Sequence, residues 1–415
     1  MTKMRLLPIA GLLYTSFLAQ PGAAQATFET IYSFGAYPDA QTPQGLIAGP
    51  NGGLYGAATT GGLYGYGAVF ALQPPASGGG TWTETILYSF APQNGDGFFP
   101  MTNPVVGYQG DIYGMTAPYG PPLSVVYQVR PVPRGVPPPP GGTWTENVIF
   151  HSPYYDALGF FDNWVVPGPH GKLYCASAYA VFELTPPGAG SPPGTAWTET
   201  VLSDNLYLGF GGVFQGLAAG PYGVLYLTAN YAGEGYGAII SLKPPSTSPG
   251  SWVATTLYNF TGQADGGVPM EPAVLGPDGA IYGTTSQGGA NGLGTVFELA
   301  PPAQKGGAWT ENTLYSFGPG DSGIASSPPV VVNGKIFGTT AQPYDAPVVG
   351  GAVFELQKPA SGAGPWAETV LYTFAGQEPY GPLVLRNGAL YGSTNPSPHA
   401  FITPTGPGIA YKIQP

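Results

Sequence analysis

Only one cysteine, Cys175, occurs in the 415-residue chain. A lone thiol cannot form an intramolecular disulfide, so stability must come from packing. Cys175 sits in "LYCAS", where related phrases carry glycine, and it reads as a small buried thiol. Histidine is nearly as scarce. His151, His170 and His399 fall far apart, without metal-ligand spacing. Charged residues make up 8% of the chain, with only four Arg and seven Lys against a net charge of −11. Phosphate neutralisation needs clustered bases, so nucleic acid is excluded as a partner. Anionic membrane surfaces are excluded on the same ground. Beyond residue 26 no apolar run is long enough to span a bilayer. Nucleophile elbows, phosphate loops, zinc motifs and Asp-x-Asp-x-Asp-Gly calcium loops are all missing.

What is plentiful is glycine (67), proline (49) and aromatic side chains (13%). Gly or Pro interrupts almost every window that could form a helix. The aromatic and β-branched content supplies enough apolar surface to offset chain entropy. Many short strands joined by Gly/Pro turns are the expected result.

The N-terminus reads "MTKMRLLPIAGLLYTSFLAQPGAAQA". Lys3 and Arg5 form a basic start, Leu6 to Ala19 a short apolar run, and Ala24-Gln25-Ala26 a small-x-small cleavage pattern. Residues 1–26 are expected to be a cleavable signal peptide, which implies export to the periplasm or beyond. Residues 27–415 are then one domain. No anchor is expected after the terminal "AYKIQP".

Internal repetition dominates that domain. An apolar–aromatic–small phrase recurs seven times, at Leu54, Ile112, Leu173, Leu225, Ile281, Ile336 and Leu390, spaced 52 to 61 residues apart. An X-Gly pair precedes each copy, as in Asn51-Gly52 and Asp278-Gly279. Such pairs between apolar runs signal two-residue hairpins, because the tight primed turns need positive φ. A second phrase ("AVFAL" at Ala68, "TVFEL" at Thr295) follows each copy. A third ("TWTETILYSF" at Thr81, "AWTENTLYSF" at Ala308) closes the unit. Each unit therefore holds four strands, A to D. Four-stranded units repeated at this period predict an all-β fold, a seven-bladed β-propeller. The phase of the repeat predicts closure. The mature chain opens on an orphan strand D ("TFETIYSF") and ends on strands A, B and C with no D. The N-terminal strand should join the three C-terminal strands.

The phrases "WTETILYSF", "GPDGAIYGTTSQGG" and "GTVFELAPP" resemble the GloVer tandem repeat of secreted bacterial proteins. That resemblance implies an exported, propeller-like bacterial protein. It brings no catalytic residues with it.

In a propeller the D–A and B–C loops share one face. An acidic residue follows most D strands: Asp39, Asp96, Asp156, Asp265, Asp321 and Glu378. They suggest a ring of carboxylates, against the plainer reading that Asp before Gly is turn chemistry. No cofactor is expected, calcium being the one ion such a ring could take. The same face gathers aromatics, among them Tyr64, Tyr66, Tyr119, Tyr236 and Tyr344. Rings with polar tips suit stacking on sugars or clamping a peptide. The leading expectation is a non-catalytic binding or scaffold propeller for a polysaccharide or surface protein. A glycan hydrolase or lyase using paired carboxylates on that face is the alternative. A purely structural envelope repeat is the third. "SGGGTW" (Ser77 to Trp82) resembles the Asp-box hairpin of sialidases, but its Asp is missing and the mature chain holds three Arg. The recurrent Trp is read as construction, with Trp82, Ile86, Tyr88 and Phe90 expected on one strand face by period two.

Overall fold

In a computed structural model, the structure describes residues 26–49, 52–76, 80–91, 95–107, 109–116, 125–132, 142–151, 164–176, 180–188, 195–203, 214–247, 250–304, 306–319, 321, 323–341, 350–360, 364, 366–395 and 408–415. Residues 1–25 of the expected signal peptide lie outside them. The fold is all-β, a ring of seven antiparallel blades. Among the described residues, the chain also forms 3-10 turns at Pro169–Gly171 and Pro221–Gly223. Blades I to VI span 43–89, 105–151, 164–203, 214–259, 274–316 and 324–373. Each runs A-B-C-D in sheet order. In blade VI, Val330–Val332 adds a second short strand beside B.

Blade VII closes the ring. Its A, B and C strands are Glu378–Arg386, Ala389–Asn395 and Ile409–Gln414, and its D strand is Thr27–Ser33 from the other end of the chain. Thr27 lies opposite Gln414 and Ser33 opposite Ile409. Edges that an open array would expose are thereby paired.

The described core is seven apolar clusters, one at each junction between blades. Two sequence features build them. First, the Gly of "LYG" sits beneath the aromatic ring of strand C. A Cβ on Gly56 would lie 2.3 Å from Phe70 Cζ, and one on Gly283 2.4 Å from Phe297 Cζ. At these positions only glycine leaves room for the ring. Blade IV makes the reverse exchange, with Leu227 paired to Ile240. Cys175, fully buried opposite Phe182, is an intermediate case. Second, strand D carries a β-bulge in every blade, between Ile86 and Tyr88 in blade I and between Thr30 and Tyr32 in blade VII. The bulge corrects the period-two expectation, because an extra residue switches the face that follows it. Trp82 and Ile86 pack toward blade VII, whereas Leu87, Tyr88 and Phe90 pack toward blade II. One D strand thus grips both neighbours. Trp82 meets Tyr391, Trp144 meets Tyr55, Trp197 meets Tyr113 and Trp252 meets Tyr174, each at about 6 Å between ring centres.

Candidate functional site

The D–A and B–C loops do share a face. Phe99 of a D–A loop donates its N–H to the carbonyl of Tyr66 in a B–C loop at 2.8 Å, and Val268 does the same to Tyr236 at 2.7 Å. Both donors hold positive φ, 54° each, so the two loop pairs adopt one conformation.

The acidic residues at the start of these loops turn back toward strand D. Asp39 accepts from the Tyr32 hydroxyl at 3.1 Å and from Gly35 N–H at 2.9 Å. Asp265 accepts from the Tyr258 hydroxyl at 2.9 Å and from Thr261 N–H at 2.8 Å. Asp321 accepts from the Tyr315 hydroxyl at 2.8 Å and from Gly318 N–H at 2.6 Å. Buried Asp96 accepts from the Tyr88 hydroxyl and the Ala91 N–H. Four carboxylates therefore make the same clasp, joining the end of strand D to its loop. Glu378 is buried within strand A of blade VII. Asp156, Tyr119 and Tyr344 lie outside the described residues.

A second acid stands beside each clasp, and it was hidden inside the recurrent phrase. The Glu of "WTE", or of "WAE" in blade VI, reaches the same tyrosine from the next blade. The Tyr32 hydroxyl lies 3.4 Å from Glu84 Oε2, and that of Tyr315 lies 3.3 Å from Glu368 Oε2. Burial, reinforced by the Asp39 charge, pushes the Glu84 carboxyl up to about 8. Burial and then the Asp96 charge push Glu146 up to about 8 as well. Burial lifts Glu311, beside Asp265, to about 7. Paired carboxyls with one raised value are the arrangement of a general acid beside a base. Here the pair recurs at four junctions, VII/I, I/II, IV/V and V/VI, each time between the D strands of adjacent blades. Among the described residues no group of three or more His, Cys, Asp or Glu side chains is placed to hold a metal ion.

Aromatic side chains of this face do reach solvent. Tyr37, Tyr66, Tyr231, Tyr236 and Tyr380 are all exposed, and Tyr64 is half-buried. Tyr66, Phe98 and Phe99 form one cluster with centroid separations of 5.1 to 6.4 Å. Tyr37 donates its hydroxyl to the Leu63 carbonyl in the adjoining B–C loop. An aromatic patch therefore runs over the rims of blades I and II and the loop leading in from blade VII.

Comparison with known proteins follows the repeat. Residues 213–415 match the Gloeobacter/Verrucomicrobia repeat. That stretch is blades IV to VII without the N-terminal strand, so the GloVer resemblance read from the phrases is shown there. Blades I to III carry the same phrases around the rest of the ring. No curated protein matches the chain. Among solved structures, the polysaccharide lyase PL25 ulvan lyase bound to -[GlcA(1-4)Rha3S]- is similar at 11% identity, covering 89% of this chain and 93% of its own, with a TM-score of 0.49. The family AA12 carbohydrate-active enzyme of Trichoderma reesei is 11% identical over 98% and 100%, with a TM-score of 0.41. An endo-1,5-α-L-arabinanase from Thermotoga petrophila is 12% identical over 92% and 99%, with a TM-score of 0.34. No residue role passes from them to this repeat ring.

Proposed function

We propose that this propeller is an exported, non-catalytic binding protein whose D–A/B–C face takes a polysaccharide or a surface protein. The observation that supports it is the aromatic patch of exposed Tyr37 and Tyr66 with half-buried Phe98. The loop acids beside it are occupied in clasps, which leaves the rings as the chemistry offered to solvent. Flat aromatic faces with polar tips stack on sugars and clamp peptides without any reacting group. Export rests on the N-terminal signal sequence.

A polysaccharide and surface-protein binding screen on the secreted form tests the reading. The wild type should bind, the Tyr66→Ala and Tyr37→Ala variants should bind at least tenfold more weakly, and melting temperatures should hold. N-terminal sequencing should place Thr27 first. Turnover of a polysaccharide by the wild type would overturn the non-catalytic assignment. Unaltered binding by both variants would remove the patch from it.

A further inference from the structure

The opposite face, formed by the A–B and C–D turns, carries an open groove of about 780 Å³ between blades III and IV. Its wall is Trp252 meeting Tyr174, 6.1 Å apart at 71°. Its floor holds Lys172 and Glu183, paired at 2.7 Å. Tyr222 stands at its rim, 96% exposed. We infer that this groove is a second binding site, for a segment of a neutral pyranose polysaccharide.

Four observations converge on it. First, Tyr222 occupies the hairpin-turn position that is Asn in blades VI and VII. Its φ and ψ are 59° and 23°, the left-handed region. Asn adopts that conformation readily, and a bulky aromatic does so at a cost. Asn333 and Asn387 occupy it in their blades, with φ 49° and 50°. A ring held there in full solvent contributes nothing to packing, and such strain points to function. Second, Tyr222 at the rim and half-buried Trp252 in the wall, the latter backed by buried Tyr174, give the groove aromatic surfaces on more than one side. Apolar C–H faces of a pyranose pack on such rings while its hydroxyls need hydrogen bonds. Third, those bonds are available from fixed groups. Glu183 Oε1 accepts from Lys172 and from the Thr185 hydroxyl at 3.1 Å. The Lys172 ammonium retains two further N–H donors. Fourth, the charge is balanced. One cation faces one anion, on a chain of net charge −11, so a polyanion is repelled and a neutral chain is not. The volume lies within the range of ligand-binding clefts.

Among the described residues the other junctions do not show the combination. Blade VI repeats the ion pair as Lys335–Glu355 at 2.7 Å. There Phe337 replaces the tyrosine, the next D strand has no tryptophan, and the facing turn carries Asn387. At the blade VII/I junction, Arg386 reaches across to the carbonyls of Gly49 and Gly53 at 3.4 and 3.1 Å. The equivalent residue at III/IV is Pro169, which leaves the junction open.

The test uses titration calorimetry on the whole protein with cellohexaose, laminarihexaose and mannohexaose as neutral probes and hexagalacturonate as the charged comparison. At least one neutral hexasaccharide should bind. Tyr222→Asn should weaken that binding tenfold or more while leaving the melting temperature equal or higher, since Asn suits the turn. Tyr66→Ala, on the opposite face, should leave it unchanged, which separates this site from the proposed function. Absence of binding by every neutral probe, preference for hexagalacturonate, or wild-type affinity in Tyr222→Asn would each overturn the inference.

Discussion

Replacing Glu84 by Gln probes the joint between blades VII and I. A single Tyr32 hydroxyl proton faces two carboxyl groups, Asp39 at 3.1 Å and Glu84 at 3.4 Å. Ala40 N–H is the other donor to Glu84, at 3.3 Å. Burial, reinforced by the Asp39 charge and only partly offset by these two hydrogen bonds, pushes the Glu84 carboxyl up to about 8, against 4.5 ordinarily. The unfolded chain releases that proton near 4.5. Between these values the folded state binds more protons, so stability is fully present below 4.5 and is lost as pH rises through 8. Each pH unit of displacement corresponds to about 1.4 kcal/mol, which would give about 4–5 kcal/mol for an enclosed group. Solvent reaches this carboxyl partly, which lowers the figure to about 2 kcal/mol. Gln is the neutral isostere, fixed in the form the fold prefers. Urea unfolding at pH 5.5 and pH 9 should show the wild type weakening toward pH 9. Glu84→Gln should be about 2 kcal/mol more stable than wild type at pH 9 and within about 0.5 kcal/mol of it at pH 5.5. A variant no more stable than wild type at pH 9 would refute the shared-proton reasoning.

Further predictions follow from packing and closure. Gly56→Leu should destabilise by several kcal/mol because Phe70 occupies the space, and adding Phe70→Ile should restore part of it, as the Leu227–Ile240 pair does in blade IV; a double-mutant cycle by urea unfolding should give coupling of about 1–3 kcal/mol. Asp265→Ala should cost about 1–3 kcal/mol by leaving the Tyr258 hydroxyl and Thr261 N–H without their acceptor, read as a lower melting temperature. Removing residues 27–34 should leave blade VII with three strands and an open edge, seen as concentration-dependent association in analytical ultracentrifugation.

The ring was legible because its information is repeated. Seven X-Gly turns and seven apolar–aromatic–small phrases marked the blades, and the orphan strand D at one end matched the missing strand D at the other. The bulge was not legible. Nothing in "TETILYSF" distinguishes a regular strand from one with an inserted residue, and that insertion sends Trp82 and Tyr88 to opposite neighbours. The loop acids were visible one by one, but their tyrosine donors lie six to eight residues earlier in strand D, and the glutamates come from the next blade. Such partnerships exist only after the sheets stack. The X-Gly pairs marked the hairpin turns that His170 and Tyr222 occupy. That Tyr222 stands over an open groove depends on Pro169 being too short to bridge it, a contrast with Arg386 that sequence spacing does not reveal.

The pairing of Thr27 with Gln414 has a practical corollary. Paired strands lie about 4.8 Å apart, so a joint of about four Gly/Ser residues would weld the chain into a circle. New ends could then be opened in any hairpin turn, and every permutant would contain the same seven blades. The whole ring could equally be spliced into a surface loop of a host protein as a cassette, since the chain would enter and leave at one C–D position on the outer edge of the A–B/C–D face and the D–A/B–C face would remain free.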